Sequence, residues 1–145
     1  MREEFKEYII SDDKELLDIQ TIKGFLSRSY WANTRTAERI ERSIQNSICY
    51  GVYHGKKQIG FARIVTDDAT MYWLADVFID EEYRSKGIGK QLIKTIITSD
   101  RLKDLMGILA TKDVHELYTK YGFIHDNERF MRRLPDYITN KINLP

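Results

Sequence analysis

Two apolar rhythms meet near residue 80, and that junction constrains the chain more than any other feature. Before it, Ile48 to Tyr53, Gln58 to Val65 and Met71 to Ile79 are runs rich in β-branched and aromatic residues. Polar turns at His54-Gly55-Lys56-Lys57 and Thr66-Asp67-Asp68 separate them, so the stretch reads as a meander of antiparallel strands. After it, Ile88, Leu92, Ile93, Ile96 and Ile97 recur on one face of a helix. A polar loop joins the two, Asp80-Glu81-Glu82-Tyr83-Arg84-Ser85-Lys86-Gly87-Ile88-Gly89. A meander handing over to an amphipathic helix implies a mixed α+β fold, because the sheet needs a helical layer to cover its apolar face.

The flanking segments fill in that plan. Tyr8-Ile9-Ile10 is a short strand, and Ser11 or Asp12 is placed to cap the next helix. Leu16, Ile19, Ile22, Phe25 and Leu26, then Ile40 and Ile44, have helical spacing. They predict two helices broken around Tyr30 to Thr36, the second starting at Thr34. Leu105 to Ala110 reads as a short buried strand. Asp113 then caps a helix carrying Val114, Leu117 and Tyr118, which stops at Gly122. Phe123-Ile124 and Glu128 to Leu134 are expected to be closing strands.

Length and charge narrow the function classes. A chain of 145 residues suits one domain, 1–145. Roughly 68–70% of its unfolded surface can be buried at this size, without disulfides or metal. The formal net charge is +1, which argues against nucleic acid, since phosphate neutralisation calls for a basic surplus. The lone cysteine, Cys49, lies in the apolar run Ile48-Cys49-Tyr50-Gly51-Val52 and reads as a small core hydrophobe. No apolar run approaches the roughly 18 residues of a membrane span, the start is charged, and no His/Cys/Asp spacing suits zinc. A cytoplasmic protein without membrane or metal partners is expected.

The segment Arg84-Ser85-Lys86-Gly87-Ile88-Gly89-Lys90 carries chemistry. It opens a helix, where unpaired N–H groups and a partial positive charge attract anions. Gly87 and Gly89 remove the side chains that would block a bulky phosphate, and Arg84, Lys86 and Lys90 add cationic groups. It is not a P-loop, for Gly89-Lys90 is followed by Gln91 and the earlier glycine is missing. Nor is it a dinucleotide fingerprint, since position 92 holds Leu92.

Arg-x-x-Gly-x-Gly after Leu74-Ala75-Asp76-Val77-Phe78-Ile79, with Leu117-Tyr118-Thr119-Lys120-Tyr121-Gly122-Phe123 further on, resembles the GNAT superfamily of N-acetyltransferases. The likeness is at motif level over residues 58 to 124 and architectural before that. It implies a central, mostly antiparallel sheet splayed by a bulge and flanked by helices. It also implies acetyl-coenzyme A as cosubstrate and a primary amine as acceptor, attacked directly in a ternary complex. By the same resemblance, the backbone of Arg84, Ser85, Lys86, Gly87, Ile88 and Gly89, with Lys90, holds the coenzyme diphosphate. Val77, Phe78 and Ile79 pair with the pantetheine arm. A backbone N–H there also stabilises the oxyanion.

Tyr118 matches the family's general acid, against the plain alternative of core packing between Leu117 and Phe123. Where the family often has an asparagine touching the coenzyme arm, this chain has Thr111 or Lys112. Asp76, inside an apolar strand, is either the general base or a structural carboxylate; strand alternation turns it away from the cofactor unless a bulge intervenes. His115 is a second candidate for proton removal. Tyr30, Trp31, Arg35 and Trp73 are expected around the acceptor, with Trp31 alternatively plugging the core. The chain is expected as a monomer or homodimer. A non-catalytic coenzyme A sensor is the rival reading.

Overall fold

The strands of this protein lie across one sheet in the order in which the chain makes them. The computed structural model describes residues 1–112 and 115–138. Its strands are β1 (Arg2–Phe5), β2 (Tyr8–Ser11), β3 (Ile48–His54), β4 (Lys57–Thr66), β5 (Met71–Ile79) and β6 (Met106–Leu109). Its helices are α1 (Ile19–Ser27), α2 (Ala37–Gln45), α3 (Ile88–Ile97) and α4 (His115–Thr119). Each strand is antiparallel to its neighbour except β5 and β6, which are parallel. The reason is connectivity: α3 lies between those two strands in sequence, and a helical crossover returns the chain in the same direction. The mixed α+β architecture is as expected.

Each face of the sheet buries its own core. On one, Ile88, Leu92, Ile93 and Ile96 of α3 pack on Val52, Ala62, Ile64, Tyr72 and Leu74. On the other, Ile22, Phe25 and Leu26 of α1, with Ile40 and Ile44 of α2, close over Cys49, Phe61 and Phe78. Cys49 is buried, and burial pushes its thiol up to about 11, so it is inert packing at neutral pH.

Several boundaries correct the sequence reading. The charged start is a strand, β1, paired to β2 from Arg2↔Ser11 to Phe5↔Tyr8. Asp18 caps α1 by accepting from the Thr21 N–H at 3.1 Å, and Asp13 caps the short 3₁₀ turn Lys14–Leu16; neither Ser11 nor Asp12 does so. Thr36, not Thr34, caps α2, accepting from the Arg39 N–H at 3.2 Å. Residues 123–134 form no strand. The cap expected at Asp113 falls outside the described residues.

Two irregularities of β5 matter most. Phe61 faces Phe78 and Arg63 faces Ala75, so Asp76 and Val77 together oppose the single residue Ala62. This is a β-bulge, with Asp76 at φ 53°. It reverses the alternation: Tyr72 and Leu74 point toward α3, but beyond the bulge Val77 and Ile79 do, while Phe78 turns to α1 and α2. Secondly, pairing with β6 runs only from Met71↔Met106 to Leu74↔Leu109, whereas β5 continues to Ile79. The two parallel strands therefore part where the bulge begins.

Candidate functional site

The far end of β5 leads directly into the glycine-bearing loop. The Asp80 N–H donates to the Ile59 carbonyl at 2.8 Å, anchoring the loop to β4. The Asp80 carboxylate accepts from the Glu82 N–H at 3.0 Å and starts a 3₁₀ turn, Glu81–Tyr83. Ser85 at φ 64° and Gly87 at φ 82° then reverse the chain into α3. The Lys6 ammonium, from the β1–β2 turn, donates to the Lys86 carbonyl at 3.0 Å and braces the loop from outside.

Gly87 is the N-cap of α3 and contributes no side-chain cap. Its left-handed backbone favours glycine. Gly89 differs: a Cβ there would meet nothing nearer than Ile79 Cγ1 at 3.8 Å, an ordinary contact. Packing within the protein therefore does not demand glycine at this position. Lys86 and Lys90 are exposed beside it. Arg84 departs from expectation. Its Nε donates to the Ile79 carbonyl at 3.0 Å and its guanidinium lies 5.0 Å over the Phe78 ring. That side chain braces the strand end, a role that spacing did not reveal. Arg28 approaches Phe78 too, at 5.6 Å, and grips Glu81 with bonds of 2.8 and 3.0 Å.

Tyr118 joins the apolar cluster under α3, with Ile88, Leu92 and Leu74. It is 7% exposed and meets Phe123 edge-to-face at 5.9 Å. Burial, with a smaller contribution from the Tyr30 phenol, pushes its hydroxyl up to about 12. Tyr30 is exposed, and its oxygen accepts from the Lys112 N–H at 3.1 Å. Helix α1's outgoing loop is thereby tied to the segment after β6, and two tyrosines expected at the site come together. Thr111 is half-buried beside that tie. The His115 side chain lies outside the described residues.

Asp76 occupies the bulge with its side chain 2% exposed. Its Oδ1 accepts from the Trp31 indole N–H at 2.9 Å. Its Oδ2 accepts from Arg35 and from Arg63, both at 2.8 Å. Burial by itself would push this carboxyl up; the charges and hydrogen bonds of Arg63 and Arg35 outweigh it and hold the carboxyl below its ordinary value. A carboxylate so held has little affinity for another proton, which opposes the general-base role expected for it. The bulge turned Asp76, but toward two arginines. Trp31 is 41% exposed and stands as a wall beside Asp76 rather than plugging the core. Trp73, 38% exposed, lies further back on β5 between Val65 and Ile108.

Arg63 escaped the sequence reading. Its signal was available: it sits inside an apolar strand next to the one carrying Asp76, and opposite charges in neighbouring buried strands pair.

The comparisons with known proteins agree on a direction. A family model described as an acetyltransferase (GNAT) domain matches residues 45–125. A solved structure from Xanthomonas campestris pv. campestris, described as belonging to the GNAT family, is 34% identical with a TM-score of 0.85, covering 91% of this chain and 96% of that one. A GNAT family acetyltransferase from Elizabethkingia anophelis, solved with acetyl-CoA bound, is alike in fold, with a TM-score of 0.66 at 20% identity over 85% of this chain and 80% of that one. The chloroplastic GCN5-related N-acetyltransferase 2 of Arabidopsis thaliana is 25% identical over 85% of this chain and 56% of its own length. The chain spans 56% to 62% of the length of three such curated relatives. Among the described residues no helix is long and apolar enough to cross a membrane.

Proposed function

Since this chain belongs to the GNAT acetyltransferase family, we propose that it binds acetyl-CoA between β5 and β6 and transfers the acetyl group to a primary amine. The observation that carries this reading is the early end of the β5–β6 ladder. Pairing stops at Leu74↔Leu109 while β5 runs on to Ile79, beside a helix start that no side chain caps. An extended pantetheine arm suits the free strand edge at Val77, Phe78 and Ile79. A diphosphate suits the first-turn amides of Ile88, Gly89 and Lys90.

In the reaction, the amine nitrogen attacks the thioester carbonyl, a C–N bond forms, the C–S bond breaks, and one proton passes from nitrogen to sulfur. A backbone N–H of the β5 edge supplies hydrogen bonding to the oxyanion. Tyr118, its hydroxyl held at about 12, stays protonated throughout the physiological range. The thiolate of a thiol of ordinary acidity, near 8.5, is a weaker base than that phenolate. Tyr118 therefore acts mainly by donating a hydrogen bond to the departing sulfur. Tyr30 and Trp31 line the acceptor side. Asp76 holds Trp31 and Arg35 in place, and the attacking amine enters as its free base.

The decisive measurement is thermal: acetyl-CoA should raise the melting temperature well above any shift with ATP or NAD, and a protein indifferent to it sinks the proposal. The pairing of Asp76 supports one other reading, a coenzyme A sensor without a base. Coenzyme-dependent stabilisation with no thiol release across amines, amino acids and peptide N-termini would favour the sensor.

A further inference from the structure

The charge cluster at the bulge does not balance. One carboxylate, Asp76, faces two guanidiniums, and among the described residues Arg35 and Arg63 have no other carboxylate partner. The Asp76 carboxylate also accepts from Trp31, so a single arginine would have sufficed to pair its charge. Bringing a second guanidinium even partly out of water is unfavourable unless an anion answers it. The two arginines are not equivalent. Arg63 is 14% exposed and spends another N–H on the Ser47 hydroxyl at 3.2 Å. Arg35 is 24% exposed and stands in the loop that carries Tyr30 and Trp31, so it is the more accessible of the two.

An apolar shelf adjoins the cluster. Val65, Trp73 and Ile108 are in register across β4, β5 and β6, hence on one sheet face. Arg63 and Ala75 occupy the next same-face positions along their strands, about 6.6 Å further on. Val65 is 42% and Trp73 38% exposed, so helices α1 and α2 leave this shelf open. Excess positive charge repels a simple ammonium and draws an anion; the shelf beside it suits an apolar group.

We propose that the acceptor is an amine that also carries a carboxylate, of the α-amino-acid type with an apolar side chain. Arg35 takes the carboxylate, and Trp73 and Val65 take the side chain. This rests on the acetyl-transfer reading and adds the chemical class of its acceptor.

Matched pairs test it: L-phenylalanine against phenethylamine, and L-leucine against 3-methylbutylamine, compared at equal free-base concentration with acetyl-CoA, reading thiol release. The carboxylated member should have at least tenfold higher kcat/KM, and Arg35→Gln should collapse that ratio to within twofold, mainly through KM. Independently, with no coenzyme present, N-acetyl-L-phenylalanine should raise the melting temperature and N-acetylphenethylamine should not. Decarboxylated amines reacting as well as the amino acids would overturn the carboxylate assignment while leaving acetyl transfer standing. If neither kind of amine releases thiol, the melting comparison decides. A shift confined to the carboxylated ligand keeps the anion site although transfer fails, and equal or absent shifts overturn it.

Discussion

The two faces of the sheet bury their surface by opposite means. Under α3 the packing is carried by apolar side chains, with Leu92, Ile93 and Ile96 at 0% exposure against Val52, Ala62 and Ile64, and the buried Thr95 hydroxyl answered by the Glu3 carboxylate. Under α1 and α2 the apolar cluster gives way, at the bulge, to a carboxylate and two guanidiniums. Hydrophobic residues of similar volume would serve stability as well or better than such a cluster. The difference teaches where the sheet tolerates charge: the face under α3 is an apolar scaffold that places a helix start at the end of β5, and the face under α1 and α2 holds a carboxylate and two guanidiniums at the bulge.

The sharpest way to break that contrast is to remove Asp76. Asp76→Ala leaves Arg35 and Arg63 half-buried without an anion, and should cost about 3–5 kcal/mol of stability, read by urea denaturation at pH 7. The effect carries a pH signature. The folded-state carboxyl lies below its unfolded value, so its contribution is complete above about pH 4 and is lost as pH falls through the folded value. Wild type should therefore converge on the variant in acid. Glu81, also held low by Arg28, affects both proteins alike and drops out of the difference. A gap that stays constant down to acid pH would mean that Asp76 acts by shape rather than charge.

That cluster also marks where sequence reading ran out. The strands β3, β4 and β5 and the helix α3 were legible because each is a continuous periodic run whose rhythm depends on its own residues. Arg63, 13 positions away on the adjoining strand, is the near partner of Asp76; the other two are far from it in sequence, Trp31 by 45 positions and Arg35 by 41. Nothing local announces such a meeting, and only the costliness of a buried carboxylate hinted at it. The strand β1 was missed for a different reason. As an edge strand with alternating exposed and half-buried positions, it needs little hydrophobicity, and its Arg2-Glu3-Glu4 read as mere charge. Conversely, Phe123-Ile124 and Glu128 to Leu134 look strand-like, but propensity makes no strand without a partner edge.

On the scaffold face, Ile96→Ala should cost about 2–5 kcal/mol by leaving a cavity in a fully buried position. It should show none of the acid convergence seen with Asp76. Acetyl-CoA should still stabilise the variant, since Ile96 lies at the far end of α3 from Gly87. Gly87→Ala should cost about 1–2 kcal/mol, because a residue with a Cβ is strained at φ 82°. Crowding adds little to that figure, the nearest atom to the new methyl being Phe5 Cζ at 3.7 Å. Here stability and ligand should be lost together, with a smaller acetyl-CoA shift in melting temperature.

The smallest effect tests whether the charged face depends on its helices or merely borrows them. Thr36 caps α2 through one hydrogen bond, its hydroxyl accepting from the Arg39 N–H, and it directly follows Arg35 in the chain. Thr36→Ala should cost about 1 kcal/mol, the usual worth of such a cap. A purely local loss would leave the Asp76 cluster intact, because Arg35 reaches Asp76 from outside the helix and Arg63 from β4. The acid dependence of stability should then match wild type, displaced by a constant amount. If the cap instead fixes where Arg35 stands, the difference between Thr36→Ala and wild type will shrink in acid as it does for Asp76→Ala, and the start of α2 must be counted part of the charged centre.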